Sequence, residues 1–163
     1  MSEATLDRGK PGGGLLGLLV FGVLTAAASV VGALSASGTS SEYRSLDRPA
    51  WAPPSWLFGP VWTVLYIAIA VAGWLVWRRY GVTAALVPWV VQLALNVAWT
   101  PIFFGAGEYG WAAVDIVALW FAVGATVVVF LRAHRLAGLL LIPYWLWVAY
   151  ASALNLSIWW NNR

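Results

Sequence analysis

GLLGLLVFGVLTAAASVVGALSAS, from Gly14 to Ser37, carries no charged side chain. A helix of that length rises about 36 Å, enough to cross a hydrocarbon core of about 30 Å. Small residues at Ala33-Leu34-Ser35-Ala36-Ser37 offer a cleavage site, so the run also resembles a secretory leader. Its apolar stretch is longer than the roughly 7–15 residues of a leader core, which favours a retained membrane helix.

Four further runs of the same kind follow, at about 57–77, 82–104, 110–131 and 136–158. Hydrophobic residues make up 62% of the chain and charged residues 9%, against about 25% charged in a soluble domain. The mean hydropathy is +0.80. The pattern predicts an all-α integral membrane bundle of five transmembrane helices, one domain over 14–160, surrounded by lipid. Residues 1–13 are polar and Gly-rich and are expected to form a disordered extension. The alternating short segments of a β-barrel are absent from the pattern. Tight connections after the second, third and fourth spans make consecutive helices antiparallel neighbours. The first connection, 38–56, is the only sizeable loop. Pro101 and Pro143 fall inside spans and are expected to kink them.

The formal net charge is +3, but it does not point to nucleic acid. The basic residues sit at span ends, where they set topology. Arg8, Lys10, Arg78, Arg79, Arg132 and Arg135 share one side; Arg44, Arg48 and Arg163 share the other. For a bacterial cytoplasmic membrane, which the positive-inside rule presumes, the excess predicts the N-terminus inside and loop 38–56 outside. With no cysteine, disulfides and thiolate metal sites are excluded.

Thirteen tryptophans are more than two interfacial belts require, and several lie deep in the spans. A buried indole N–H needs a polar partner. Depth below the loop 38–56 side follows from helical rise: about 8 Å for Trp62, Trp99 and Asp115, 5 Å for Asn155, 12 Å for Asn96 and 16 Å for Trp147. Gln92, Asn96 and Trp99 share a helix face, as do Trp147, Ala151 and Asn155, and Trp62 and Tyr66. If these faces converge, they make an aromatic pocket with a few amide and carboxyl groups, opening toward loop 38–56. Plainer readings stand beside this one. Gln92 and Asn155 fit interhelical hydrogen bonding equally well, and Asp115 fits pairing with an indole or backbone donor. Trp77, Trp111, Trp159 and Trp160 read as interfacial anchors, and Trp74, Trp89, Trp120 and Trp145 as packing or lipid-facing. Trp51 reads as an anchor or a lid.

The motifs resemble a known family. Trp51-Ala52-Pro53-Pro54, Gly59-Pro60-Val61-Trp62-Thr63-Val64-Leu65-Tyr66, Gln92-Leu93-Ala94-Leu95-Asn96-Val97-Ala98-Trp99-Thr100-Pro101, Val114-Asp115 and Pro143-Tyr144-Trp145-Leu146-Trp147 through Asn155 are similar, in order, to the translocator proteins, also called tryptophan-rich sensory proteins or peripheral benzodiazepine receptors. The resemblance implies a five-helix bundle, a homodimer, and a pocket under loop 38–56 for porphyrins such as protoporphyrin IX. No covalently bound cofactor is expected. By motif, ligand contacts fall on Tyr43, Trp51, Pro53, Trp62, Asn96, Trp99, Asp115, Trp147, Ala151 and Asn155. Trp62 and Trp147 match the pair tied to light-dependent porphyrin degradation in some bacterial members. The basic residue that follows the sterol-motif tyrosine in mammalian members has no counterpart near Tyr150.

The chain offers no nucleophile–base pair, metal cluster or phosphate loop. Its only histidine, His134, lies between Arg132 and Arg135, and its only methionine is Met1, so an axial haem ligand within the pocket is not expected. The leading expectation is a tetrapyrrole-binding sensor. A light-dependent porphyrin-degrading enzyme and a transporter are the alternatives.

Overall fold

The computed structural model describes residues 14–163, so the expected disordered extension lies outside the described residues. Five long apolar helices dominate: α1 (Gly14–Ala36), α3 (Phe58–Tyr80), α4 (Val87–Thr100, with a turn before it and another after), α5 (Tyr109–Ala133) and α6 (Arg135–Asn161). Each is long enough to cross a bilayer. The segments are helical because a backbone in lipid must satisfy its own hydrogen bonds. The apolar segments run Gly14–Ala36, Ser55–Tyr80, Ala84–Gly105, Tyr109–Ala133 and Arg135–Asn161, where the sequence pattern has about 14–37, 57–77, 82–104, 110–131 and 136–158.

The helices close into a ring. α1 packs on α3 and α4, α6 packs on α3 and α5, and α4 packs on α5. Alternating chain direction makes every adjacent pair antiparallel except α1 and α4. The core between them is apolar, built around Ile69, Val76, Leu119, Val123, Phe130 and Val148.

Loop 38–56 is not a simple connector. It contains a short helix, α2 (Ser40–Ser45), which sequence periodicity did not reveal because six residues are too few to establish a period. Tyr43 of α2 is 3% exposed and packs with Phe103, Leu154 and Ile158. The loop is also tied to α6. The Asp47 backbone N–H donates to Asn162 Oδ1 at 3.0 Å, and Asn162 Nδ2 donates to the Asp47 carbonyl at 3.0 Å. Tyr150 donates its hydroxyl to the Trp51 carbonyl at 3.0 Å.

The two span prolines act differently. After Thr100 the chain widens into a π-helical turn, Pro101–Gly105. Proline has no N–H for the Val97 carbonyl, and the winding relaxes so that Ala106 N–H donates to the Pro101 carbonyl at 2.9 Å. The wider turn brings both Phe103 and Phe104 beside Trp99, with ring centroids at 5.1 and 6.1 Å. Pro143, by contrast, lies inside α6, which stays helical from Arg135 to Asn161.

A single residue, His134, joins α5 to α6. Its Nδ1 accepts the Ala137 N–H at 3.4 Å, capping the new helix. So short a turn forces the helices together at their start. There Gly138 faces the α5 backbone; a Cβ on it would lie 2.5 Å from the Leu131 nitrogen.

Candidate ligand cavity

A cavity of about 290 Å³ lies between α1, α3 and α4, beneath α2. That is near the lower end of small-molecule sites, about 300 Å³. α1 opens it by presenting small residues, Ser29, Gly32, Ala33 and Ala36, at i, i+3, i+4 and i+7. α3 contributes Phe58, Trp62 and Tyr66; α4 and its π turn contribute Asn96, Trp99, Thr100 and Phe104; Tyr43 forms the roof. The Trp62 ring leans on Tyr66 at 5.5 Å and on Tyr144 at 6.1 Å.

The polar groups expected inside the spans are mostly paired. Tyr66 donates its hydroxyl to Asn96 Oδ1. Asn96 Nδ2 donates to Tyr144 Oη at 3.0 Å, and Tyr144 donates to Gln92 Oε1 at 2.8 Å. Trp99 Nε1 donates to Asn155 Oδ1 at 2.9 Å, and Asn155 Nδ2 donates to the Tyr109 carbonyl at 3.0 Å. Asn155 therefore fixes the plane of Trp99 from behind the cavity wall. Such pairs set side-chain orientation as well as adding stability.

The deep indoles separate by the same test. Trp89 donates to the Ile69 carbonyl at 3.0 Å, Trp74 to the Gly14 carbonyl at 2.9 Å and Trp145 to the Trp120 carbonyl at 3.1 Å. Trp120 and Trp145 stack at 5.5 Å. Trp74, Trp89 and Trp145 are packing residues with satisfied donors. Trp147 differs: its Nε1 is buried with no partner. Its ring packs against Phe58 at 6.2 Å and Tyr150 at 5.5 Å.

Of the residues proposed from sequence, the cavity brings together Tyr43, Trp62, Asn96 and Trp99. Ala151 and Asn155 line a small adjoining void of about 20 Å³, which shares Tyr43, Phe58 and Trp99 with the larger space. Trp147 is connected to the cavity wall through Phe58. Trp51 is 48% exposed and sets its ring edge-on to Tyr150 at 5.6 Å. Pro53 is buried, and its carbonyl accepts from the Tyr43 hydroxyl at 3.3 Å. Burial raises the Tyr43 hydroxyl above its ordinary pKa, and nearby Arg48 offsets part of that, so Tyr43 keeps the proton it donates to Pro53.

Asp115 lies elsewhere. It borders a separate recess with Leu95, Ile102, Glu108, Trp111 and Val114, and its Oδ2 has no partner. Depth along the membrane normal places a residue on an axis but leaves its azimuth open. On α5 the buried face is carried by Ala112, Ala113 and Ile116 instead.

Sequence reasoning missed Phe58, Phe104 and the small-residue face of α1. The α1 signal was present as the Ser29, Gly32, Ala33 and Ala36 spacing, but small residues are common in membrane helices. Arg48 also takes an unforeseen position, with its guanidinium 4.6 Å over the Tyr43 ring, behind the roof of the cavity.

Comparison with known proteins matches residues 19–160 to the TspO/MBR family. The chain belongs to that family. It is 44% identical over 126 residues to the human translocator protein, covering 74% of this chain and 75% of the relative. It is 39% identical over 144 residues to protein CrtK of Rhodobacter capsulatus, covering 86% and 89%. A tryptophan-rich sensory protein of Cereibacter sphaeroides is 36% identical over 123 residues, covering 74% and 78%. The family match runs through all five long helices and includes every residue of the cavity, from Ser29 to Phe104. The chain is thus an integral membrane protein of the translocator and tryptophan-rich sensory class.

Proposed function

We propose that this TspO/MBR family protein is a membrane sensor that binds a tetrapyrrole, protoporphyrin IX or a haem-related porphyrin, in the cavity beneath α2. The observation that carries the reading is a cavity walled by Trp62, Trp99, Phe58 and Phe104 and supplied with the Asn96 amide. Flat conjugated rings stack on indoles, and such contacts are worth about 0.5–1.5 kcal/mol beyond burial. A tetrapyrrole is larger than the closed cavity, and the neighbouring void of about 20 Å³ adds little, so binding requires α2 to lift. The tryptophan-rich sensory relative supports the sensor reading by its name. The sensor sits in a cytoplasmic membrane with loop 38–56 outside, a reading supported by the excess of arginine at the opposite end.

Porphyrin propionates would lie at the mouth, near Arg44 and Arg48. The Arg44→Ala, Arg48→Ala double variant should weaken protoporphyrin IX by about tenfold, the scale of one charge-assisted hydrogen bond. The dimethyl ester, which has no carboxylate, should bind both proteins equally. Fluorescence titration measures both, and equal loss for acid and ester would remove the arginines from the site.

A second reading is light-dependent porphyrin degradation. It is favoured by the aromatic path from the cavity through Phe58 to Trp147, since indoles serve as one-electron relays. Illumination of the protoporphyrin complex should then yield a defined product that the Trp62→Phe, Trp147→Phe double variant does not make. Bleaching at the rate of free porphyrin in both proteins would leave the sensor reading alone.

A further inference from the structure

The hydrogen-bonded chain at the cavity wall has a direction. Donation runs inward, from Tyr66 to Asn96, from Asn96 to Tyr144, and from Tyr144 to Gln92. It ends on Gln92, which is 1% exposed and whose Nε2 has no partner. Every member is a hydroxyl or a primary amide, and each of these both donates and accepts. Turning both amides by half a turn and reversing both hydroxyls gives the opposite order. Gln92 Nε2 then donates to Tyr144, Tyr144 to Asn96 Oδ1, and Asn96 Nδ2 to Tyr66. The number of bonds is unchanged, and the orphan at Gln92 becomes its oxygen instead of its nitrogen. The two directions are therefore close in energy.

They differ at the cavity end. In the inward direction Tyr66 spends its proton on Asn96 and offers the cavity a lone pair. In the outward direction it offers the cavity its O–H. Beside it is an open niche: a Cβ on Gly32 would lie 3.5 Å from Thr100 Oγ1 and 4.0 Å from Tyr66 Oη. Glycine leaves the space facing these two hydroxyls unfilled.

We propose that this niche is a subsite for one hydrogen-bonding atom of an aromatic ligand, and that reversal of the chain lets Tyr66 serve either a donor or an acceptor there. Gln92, which lies outside the cavity lining, is the positioning residue that makes the inward direction available. The proposal rests on the reading of the cavity as a ligand site, and it predicts that one small site accepts aromatic ligands of opposite polarity.

The test uses the full chain in detergent micelles and two flat fluorescent tricycles at mildly alkaline pH. Carbazole presents one N–H donor, and acridine presents one nitrogen acceptor. Fluorene and anthracene are the hydrocarbon controls. The native protein should bind each heterocycle about tenfold more tightly than its hydrocarbon, as one net hydrogen bond implies. Tyr66→Phe should weaken both preferences, leaving only what the Thr100 hydroxyl supplies. Gln92→Leu deprives Tyr144 of its acceptor in the inward direction only, so carbazole should weaken about tenfold while acridine is kept. Equal effects of Gln92→Leu on the two ligands, or no preference over the hydrocarbons in the native protein, would overturn the subsite. The native and Tyr66→Phe comparison decides the matter even if Gln92→Leu does not fold. Protoporphyrin IX titrated into the same samples separates the two readings. Porphyrin binding without the heterocycle pattern sinks the subsite alone, and the reverse outcome sinks the tetrapyrrole reading alone.

Discussion

Gly138→Val should destabilise the bundle by about 3 kcal/mol or more, at the upper end of overpacking penalties. The reason is geometric. His134 is the whole connection between α5 and α6, so the two helices start in contact. A Cβ at position 138 would sit 2.5 Å from both the Leu131 nitrogen and its Cγ. The Leu131 side chain has rotamers to escape into, but the backbone nitrogen has none without moving α5. A branched residue adds two methyl groups to that clash. Gly22→Ala supplies the comparison, because a Cβ there meets nothing within 4 Å. It should be neutral or slightly stabilising, as helix propensity favours alanine over glycine by about 1 kcal/mol. Thermal unfolding in one detergent measures both. Gly138→Val should lower the midpoint by about 10 °C, and a midpoint equal to that of the native protein would show that the α5–α6 contact is looser than the structure has it.

Trp62→Ala should lower protoporphyrin IX affinity by about 30- to 100-fold, the 2 kcal/mol or more expected of a central aromatic anchor. Trp62 faces the cavity from α3 and is braced by Tyr66 and Tyr144. Truncation removes the stacking surface and releases two neighbours that hold its angle. Trp120→Ala is the control, since that ring stacks on Trp145 and lines none of the cavities described. Its porphyrin affinity should remain within about twofold of native. If both variants lose binding equally, the porphyrin is following overall packing instead of this cavity. If neither does, the porphyrin binds elsewhere.

The five helices were legible because lipid imposes one rule on every span. A long apolar run in lipid must satisfy its backbone within itself as a helix unless it joins a closed barrel, so Gly14–Ala36 and its four successors could be recognised as helices. The single histidine was correctly placed in a connection, although its capping bond to Ala137 depends on the turn being one residue long. Loop 38–56 was less legible. Tyr43 came forward only through resemblance, and α2, which carries it over the cavity, is too short to leave a periodic trace.

Composition and motif order therefore determine the membrane class, the helix count and the family, as all three depend on local sequence alone. They also place Trp62, Asn96, Trp99 and Trp147 in the same half of the membrane, because helical rise is constant. Which groups meet is decided by how the ring closes and how each helix is turned about its axis. Asp115 has the depth of Trp62 yet lies on a different recess. The small face of α1 and the widened turn at Pro101 make and line the cavity. Trp89 and Trp145 are satisfied by backbone carbonyls of other helices, while Trp147 is left without a partner. Depth is a one-dimensional quantity read along the chain, whereas azimuth and contact require all five helices in place.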